Sequence, residues 1–277
     1  MTFAPEPVLA ERKQQVAQTF NTLANHYDVI QFVRRTADRL VELAQLRPGE
    51  RVLDLATGTG WVALAAAAEV GSQGHVLGID IAQEPLAHAR GKARDASLGN
   101  LVFRTGDAEG LDLPDQSFEA VLCASGIFFL PDPRAALAEW RRVTSPGGRA
   151  VFSSFGIGLI GQLGVLFDAH LARAGLPTSP RPPFQDADAC RALLDEAGYA
   201  EVQISEEDLG YALPHADAWW QELWAGLTRQ PLTRLSPEQL SAFRASYLCD
   251  VADLATAAGI RVDVPAIFAS GTVPTSA

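Results

Sequence analysis

VLDLATGTG, at residues 52–60, sets a short apolar run with an acid at Asp54 ahead of a loop that carries glycines at Gly58 and Gly60. That order reads as a buried strand breaking into a tight turn. The residues that follow, 61–69, are rich in alanine and favour a helix, so the turn is expected to open a helix whose first N–H groups face a ligand. Alone, the pattern also suits α/β proteins that bind nothing there, and GTGWVA fits a dinucleotide fingerprint through Gly58, Gly60 and Ala63. The flanking elements have to separate these readings.

Downstream, HVLGID at residues 75–80 reads as a second buried strand ending in Asp80. Strand, helix and strand in succession imply a parallel pair joined by a crossover helix, the unit of a doubly wound sheet. Pro85 suits a helix start, and the helix continues to residue 96. A third strand at 101–105 ends in GDAEGL, and a fourth at 118–124 follows the loop LPDQS. A helix at 134–143 and a turn through Pro146, Gly147 and Gly148 lead to a fifth strand at 149–154.

Upstream, residues 8–20 suit an amphipathic helix, which FNTLANHYD at 20–28 interrupts to make a flap. Val33, Ala37, Leu40, Val41 and Ala44 lie at helical spacing before the turn residues Pro48 and Gly49.

Beyond residue 155 the pattern changes. An apolar, glycine-dotted helix and the proline-rich PTSPRPPF, together spanning 156–183, read as a cap over the strand ends. Asp186 is placed to cap a helix ending near Ala197, with Gly198 closing it. Strand character at 201–213, helices at 216–227 and 237–257, and a last strand at 261–269 complete the chain. The expected layout is one domain: a flap at 1–28, a cofactor-binding core at 29–155, a helical cap and substrate region at 156–185 and 214–258, and the last strand within 259–270. The final TVPTSA is expected to fray.

A glycine turn ending strand one, with an acid ending strand two about 20 residues on, is a ribose-binding arrangement. Asp80 would accept from both ribose hydroxyls; the competing role is a helix cap. At the end of strand three, Gly106, Asp107 and Ala108 offer a carboxylate for an exocyclic amine and a backbone N–H for a ring nitrogen, a pair that suits adenine. Three consecutive strand ends, each with an acid or a glycine turn, point to a ligand at that edge of the sheet.

The totals restrict the function. The chain has 277 residues, 48% hydrophobic and 20% charged, with a formal net charge of −11. A charge of that sign repels a phosphate backbone, and no basic cluster offsets it, which argues against nucleic acid as a partner. No window approaches the roughly 18 uninterrupted apolar residues of a membrane span. The amino terminus lacks a basic start followed by an apolar core, so no secretory signal is expected. Cys123, Cys190 and Cys249 stand far apart, which suits buried thiols in a reducing cytoplasm. No spacing suggests a metal site. Oligomeric state is not legible.

Over residues 20–154 the chain resembles the class I S-adenosylmethionine-dependent methyltransferases, and within them the ubiquinone and menaquinone biosynthesis branch. FNTLANHYD resembles the amino-terminal signature of that branch, VLDLATGTG its first cofactor motif, and GID its ribose acid. GDAEGLDLPDQSFEAV resembles the adenine region and EWRRVTSPGG the approach to strand five. The resemblance implies a Rossmann-like α/β sheet of seven strands, ordered 3-2-1-4-5-7-6, with strand seven antiparallel. It implies S-adenosylmethionine as cofactor, with Asp54, Ala56, Gly58 and Gly60 at its methionine half. Asp80 would then hold the ribose, Ile81 cover adenine, Asp107 and Ala108 read adenine, Ser125 border the methyl-transfer centre and Tyr27 close from the flap. Ala56, where many class I members have glycine, is itself a feature of the quinone branch. SGIFFLPDP after strand four is less polar than that branch's segment, so Phe128 and Phe129 favour a different aromatic or terpenoid-like acceptor.

Methyl transfer from a sulfonium is an in-line displacement that needs alignment and exclusion of water, with a base optional. His26, His170 and His215 are candidate bases, with His170 preferred and His26 second. Phe128, Phe155, Leu159, Phe167, Trp219, Trp220 and Trp224 are candidates for an apolar small-molecule acceptor pocket, though tryptophans at this helical spacing equally suit core. Two other functions remain: a NAD(P)-dependent oxidoreductase, which Asp54 and the GDA element oppose, and a non-catalytic protein that binds S-adenosylmethionine.

Overall fold

A computed structural model describes residues 6–178 and 183–275. The first five residues, the middle of PTSPRPPF and the last two residues of the chain lie outside that range.

The five expected parallel strands form β1 (Arg51–Leu55), β2 (His75–Asp80), β3 (Leu101–Thr105), β4 (Phe118–Cys123) and β5 (Thr144–Phe155). Their side chains are nearly all apolar or small, as a sheet covered on both faces requires. Helices α3 (Trp61–Val70), α4 (Gln83–Asp95) and α5 (Pro133–Val143) make the crossovers, and α2 (Gln31–Ala44) precedes β1. Asp132 caps α5, accepting from the amides of Arg134 at 3.1 Å and Ala135 at 3.0 Å, and Pro133 supplies the preset φ of a first helical residue.

The sheet is ordered β3-β2-β1-β4-β5-β9-β6, where β6 is Ala200–Asp208 and β9 is Pro265–Thr272. β9 runs antiparallel to both neighbours. It fills the place expected for strand seven, so the implied topology holds. Between β5 and β6, α6 (Gly161–Arg173) and α7 (Ala187–Glu196) follow, and Asp186 caps α7 through the Ala189 amide at 2.7 Å.

Each of the last two expected strands is divided. The segment 201–213 becomes β6 and β7 (Tyr211–Leu213), and 261–269 becomes β8 (Ile260–Val262) and β9. β7 and β8 pair in a separate two-stranded ribbon. The break falls where Asp208 turns back to accept the Gly210 amide at 2.9 Å, opposite Pro265, which has no amide to donate. Here the last antiparallel pair leaves the sheet.

Beyond the carboxyl end of β5, that ribbon packs with α6, α8 (Ala216–Ala225) and α9 (Pro237–Ala252) around a third core cluster. Ser236 and Gln239 form a capping box at the start of α9, a device worth about 1 kcal/mol. The first helix, α1 (Glu6–Leu23), extends three residues beyond Phe20, and a 3-10 turn at Tyr27–Val29 links it to α2. Cys123 and Cys190 are buried, but Cys249 on α9 is exposed.

Candidate functional site

The carboxyl ends of β1, β2, β3 and β4 open into one cavity, and α1 lies across it. Lys13, Val16, Phe20, Ala24 and Tyr27 line it from above at helical spacing. Asp54, Ala56, Gly58, Asp80, Ile81, Asp107, Ala108 and Ser125 line it from the sheet, so those expected site residues share one space. Thr57, Thr59, Trp61 and Phe129 also border it. Thr57, Thr59 and Trp61 carry no sequence signal beyond their nearness to the glycine turn, whereas Phe129 already stands out in SGIFFLPDP, and the stripe on α1 is legible only as a helical period.

Gly60 does not line this cavity. Its φ is +87°, and a Cβ there would meet Ala89 Cβ and Phe103 Cζ at 2.9 Å, so packing against α4 and β3 demands glycine. Gly58, at φ +55°, has open space where a side chain would project. Only this glycine leaves its backbone approachable.

The amides of the glycine loop are already engaged. Asp80 accepts from the Gly58 amide at 2.7 Å and from the Ala82 amide at 2.8 Å. Asp54 is buried beneath the loop, accepting from the Thr57 hydroxyl at 2.5 Å and from the Ala63 amide in the first turn of α3. A carboxylate thus takes the place at the helix start where a phosphate would sit.

Burial raises the Asp80 carboxyl above its usual range against the pull of these amides. Burial likewise pushes Asp54 up to about 7, opposed by its Thr57 and Ala63 donors and reinforced by Asp80. Folded Asp54 therefore holds a proton between its ordinary value of 3.8 and about 7 that the unfolded chain has released. The stability Asp54 confers is present below that window and declines as pH rises through it. Relative to Asp54→Asn, the native protein should lose thermal stability between pH 4 and 7 and level off above; a parallel pair of melting profiles would remove Asp54 as the cause.

At the third strand end, Asp107 accepts the Glu109 amide at 2.9 Å with one oxygen and lies 2.7 Å from Lys13 Nζ with the other. Lys13 also pairs with Glu109. Burial alone would lower the lysine, but its bonds to both acids raise it on balance. The Trp140 indole donates to the Ala108 carbonyl at 2.9 Å and fixes the loop from below.

Along the floor, Ala56 and Ser125 adopt left-handed φ values of +51° and +52°. Such conformations cost roughly 1–3 kcal/mol each in non-glycine residues and cluster at functional sites. Ser153 holds Ser125 in place, accepting its amide at 2.9 Å. A Cβ at Gly126 would lie 2.7 Å from Ala56 Cβ. Close packing fixes this floor.

Tyr27 closes the other end, and burial raises its hydroxyl pKa, reinforced by Asp80 and Asp28. Next to it, Asp28 accepts from Thr59 at 2.5 Å and Trp61 at 3.0 Å, and pairs with Lys92 at 2.6 Å. The flap is thereby tied to the start of α3.

The preferred catalytic histidines are not here. His170 is buried within the third core cluster, 2.8 Å from Asp250 and edge-on to Phe243 and Tyr247. His26 is exposed and borders a separate groove with Trp220 and Trp224. His215 caps α8 through the Ala218 amide at 3.2 Å. None of the three is among the described residues that line the cavity.

The expected acceptor lining also divides. Trp219 and Phe167 are core, the Trp219 indole donating to the Tyr247 hydroxyl at 2.8 Å. Phe128 and Phe155 instead continue an aromatic chain from the cavity wall. Phe20 meets Phe129 at 5.0 Å, Phe129 meets Phe128 at 4.6 Å, Phe128 meets Phe155 at 5.9 Å, and Phe155 meets Phe32 at 5.6 Å.

Comparison with known proteins agrees with this geometry. A family model described as a methyltransferase domain matches residues 52–148. Nocamycin O-methyltransferase of Saccharothrix syringae is 30% identical over 91% of this chain and 96% of its own length. The ubiquinone/menaquinone biosynthesis C-methyltransferase UbiE of Methylobacterium nodulans is 34% identical over 72% of this chain and 88% of its own. In fold, the [4+2]-cyclase SpnF superposes with a TM-score of 0.64 at 21% identity, covering 95% of this chain and 97% of that one. The chain belongs to the class I S-adenosylmethionine-dependent methyltransferases, related to the ubiquinone and menaquinone biosynthesis branch, and its cofactor is S-adenosylmethionine.

Proposed function

We propose that the protein transfers the methyl group of S-adenosylmethionine to a small, flat, apolar or aromatic acceptor. The observation that carries this reading is the aromatic chain from Phe20 through Phe129, Phe128 and Phe155 to Phe32, which begins at the cavity wall beside Ser125. Apolar and aromatic walls with few polar groups suit such an acceptor. The relatives include an O-methyltransferase named for nocamycin, an aklanonic acid methyltransferase and quinone-pathway enzymes, which is consistent with it.

The cavity's own chemistry fits the cofactor. Asp54, Asp80 and Asp107 line it with Lys13 as the one cation among the described lining residues, a balance that favours a cationic ligand over a dinucleotide's phosphates. Asp80, held by the Gly58, Ile81 and Ala82 amides, is assigned to the ribose, and Asp107 with the Ala108 amide to adenine. Ala56 and Gly58 are assigned to the methionine half, Ile81 to the adenine face, and Ser125 and Tyr27 to the reacting end.

When bound, S-adenosylmethionine supplies a methyl group on a positively charged sulfur, and a neutral thioether leaves. The chain's part is to align the acceptor against the Ala56–Ser125 floor and, through α1 and Tyr27, to exclude water. No histidine reaches the cavity, so His26 and His170 are not assigned as bases.

Calorimetry should show micromolar binding of S-adenosylmethionine, a scale common for small ligands, and none of NADH. With methyl-labelled cofactor, label should then appear on phenolic or polyketide-like aromatic acceptors. Transfer confined to small polar amines would overturn the acceptor class.

A further inference from the structure

The helix that roofs the cavity is held differently at its two ends. Its carboxyl half docks on α4: Asn21 accepts the Glu84 amide at 2.9 Å, and Asn25 meets His88 Nε2 at 3.1 Å. Asp28 then ties the following turn to Thr59, Trp61 and Lys92. Toward the amino end, the one charged residue of the cavity-facing stripe is Lys13, which bridges Asp107 and Glu109.

Each acid has one oxygen committed to the backbone: Asp107 to the Glu109 amide and Glu109 to the Asp132 amide. The remaining oxygens face Lys13. The Asp107 oxygen that the backbone leaves free is the one beside Lys13, so lysine and an exocyclic amine compete there.

We propose that Lys13 is a latch that holds α1 shut across the cofactor cavity, and that the adenine amine competes with it at Asp107 as the cofactor seats. This rests on the assignment of Asp107 to adenine. Opening parts Lys13 from both acids, and when α1 recloses over the seated cofactor the lysine returns to Glu109. Pivoting about the Asn21–Asp28 end gives the cofactor a way in beneath the amino half of α1. Entry is then limited by the rupture of the two Lys13 ion pairs, which salt weakens because the Lys13 side chain is 24% exposed.

S-adenosylhomocysteine is the suitable probe, because it carries no net charge and its approach is not steered by salt. Its association is followed by the fluorescence of Trp61, which borders the cavity. In the native protein, association should quicken about two- to fivefold between low and high salt. In Lys13→Met it should be roughly three- to tenfold faster at low salt and flat with salt, while Lys13→Arg keeps the native behaviour. Association of Lys13→Met at the native rate would overturn the latch.

If S-adenosylhomocysteine fails to bind the native protein, the adenine assignment fails, and hydrogen exchange of the ligand-free proteins decides the latch separately. Amides of residues 8–20 should exchange about tenfold faster in Lys13→Met than in the native chain; equal protection overturns it. Lys13→Gln repeats both measurements should the methionine variant misfold.

Discussion

Replacing Asp80 with alanine is expected to weaken S-adenosylmethionine binding ten- to more than a hundredfold. Hydrogen bonds to a charged acceptor contribute roughly 1.5–3 kcal/mol, and each 1.4 kcal/mol is about a factor of ten in affinity. In the folded chain Asp80 has two tasks. It receives the amides of Gly58 and Ala82, which shapes the glycine loop and the start of α4, and it presents its remaining lone pairs to the cavity. Alanine removes both, leaving the Gly58 amide bare beside the ligand. Asp80→Asn keeps one acceptor and should lose less. Titration calorimetry beside circular dichroism separates binding from folding: a folded Asp80→Ala protein with native affinity would take the ribose away from Asp80.

Trp219→Ala is expected to cost about 3–5 kcal/mol of stability, as large aromatic deletions from cores do. Trp219 is 1% exposed, and its indole donates to the Tyr247 hydroxyl, which in turn donates to the Leu163 carbonyl at 3.0 Å. One substitution thus opens a cavity and takes from a buried hydroxyl between α6, α8 and α9 the hydrogen bond it accepts. Trp220, one residue on, stacks on Trp224 at 5.8 Å along the outer groove, and Trp220→Ala should leave stability within about 1 kcal/mol of native. Denaturant unfolding of the two variants gives the contrast. Equal stabilities would return Trp219 to the acceptor-lining residues.

The sheet was legible because its strands are short apolar runs closed by acids or glycines, a pattern that a covered parallel sheet imposes locally. Asp54, Asp80 and Asp107 were legible for the same reason: each sits where a strand ends, and in an open α/β sheet those ends gather at one edge. The division of 201–213 and 261–269 was not. It depends on Asp208 meeting Pro265 at the end of the β6–β9 pair, 57 positions apart in the chain, and a strand-like composition carries no trace of that partner. The surroundings of His170 were hidden for a related reason: it sits on an apolar helix, and only packing shows that helix turning it toward Asp250 and Tyr247.

VLDLATGTG by itself determined that a buried strand ends in a tight turn that opens a helix, because the acid, the glycines and the alanine-rich segment are consecutive in the chain. The tertiary structure decided what each glycine is for. Gly58 stays open to the cavity, whereas Gly60 is closed off by Ala89 and Phe103, residues about 30 and 40 positions away along the chain. It also decided that the roof of the site is α1 and that its fastening is Lys13, whose partners lie 94 and 96 residues further on. Local order fixes backbone shape and residue chemistry; contacts between distant segments exist only once the chain has packed.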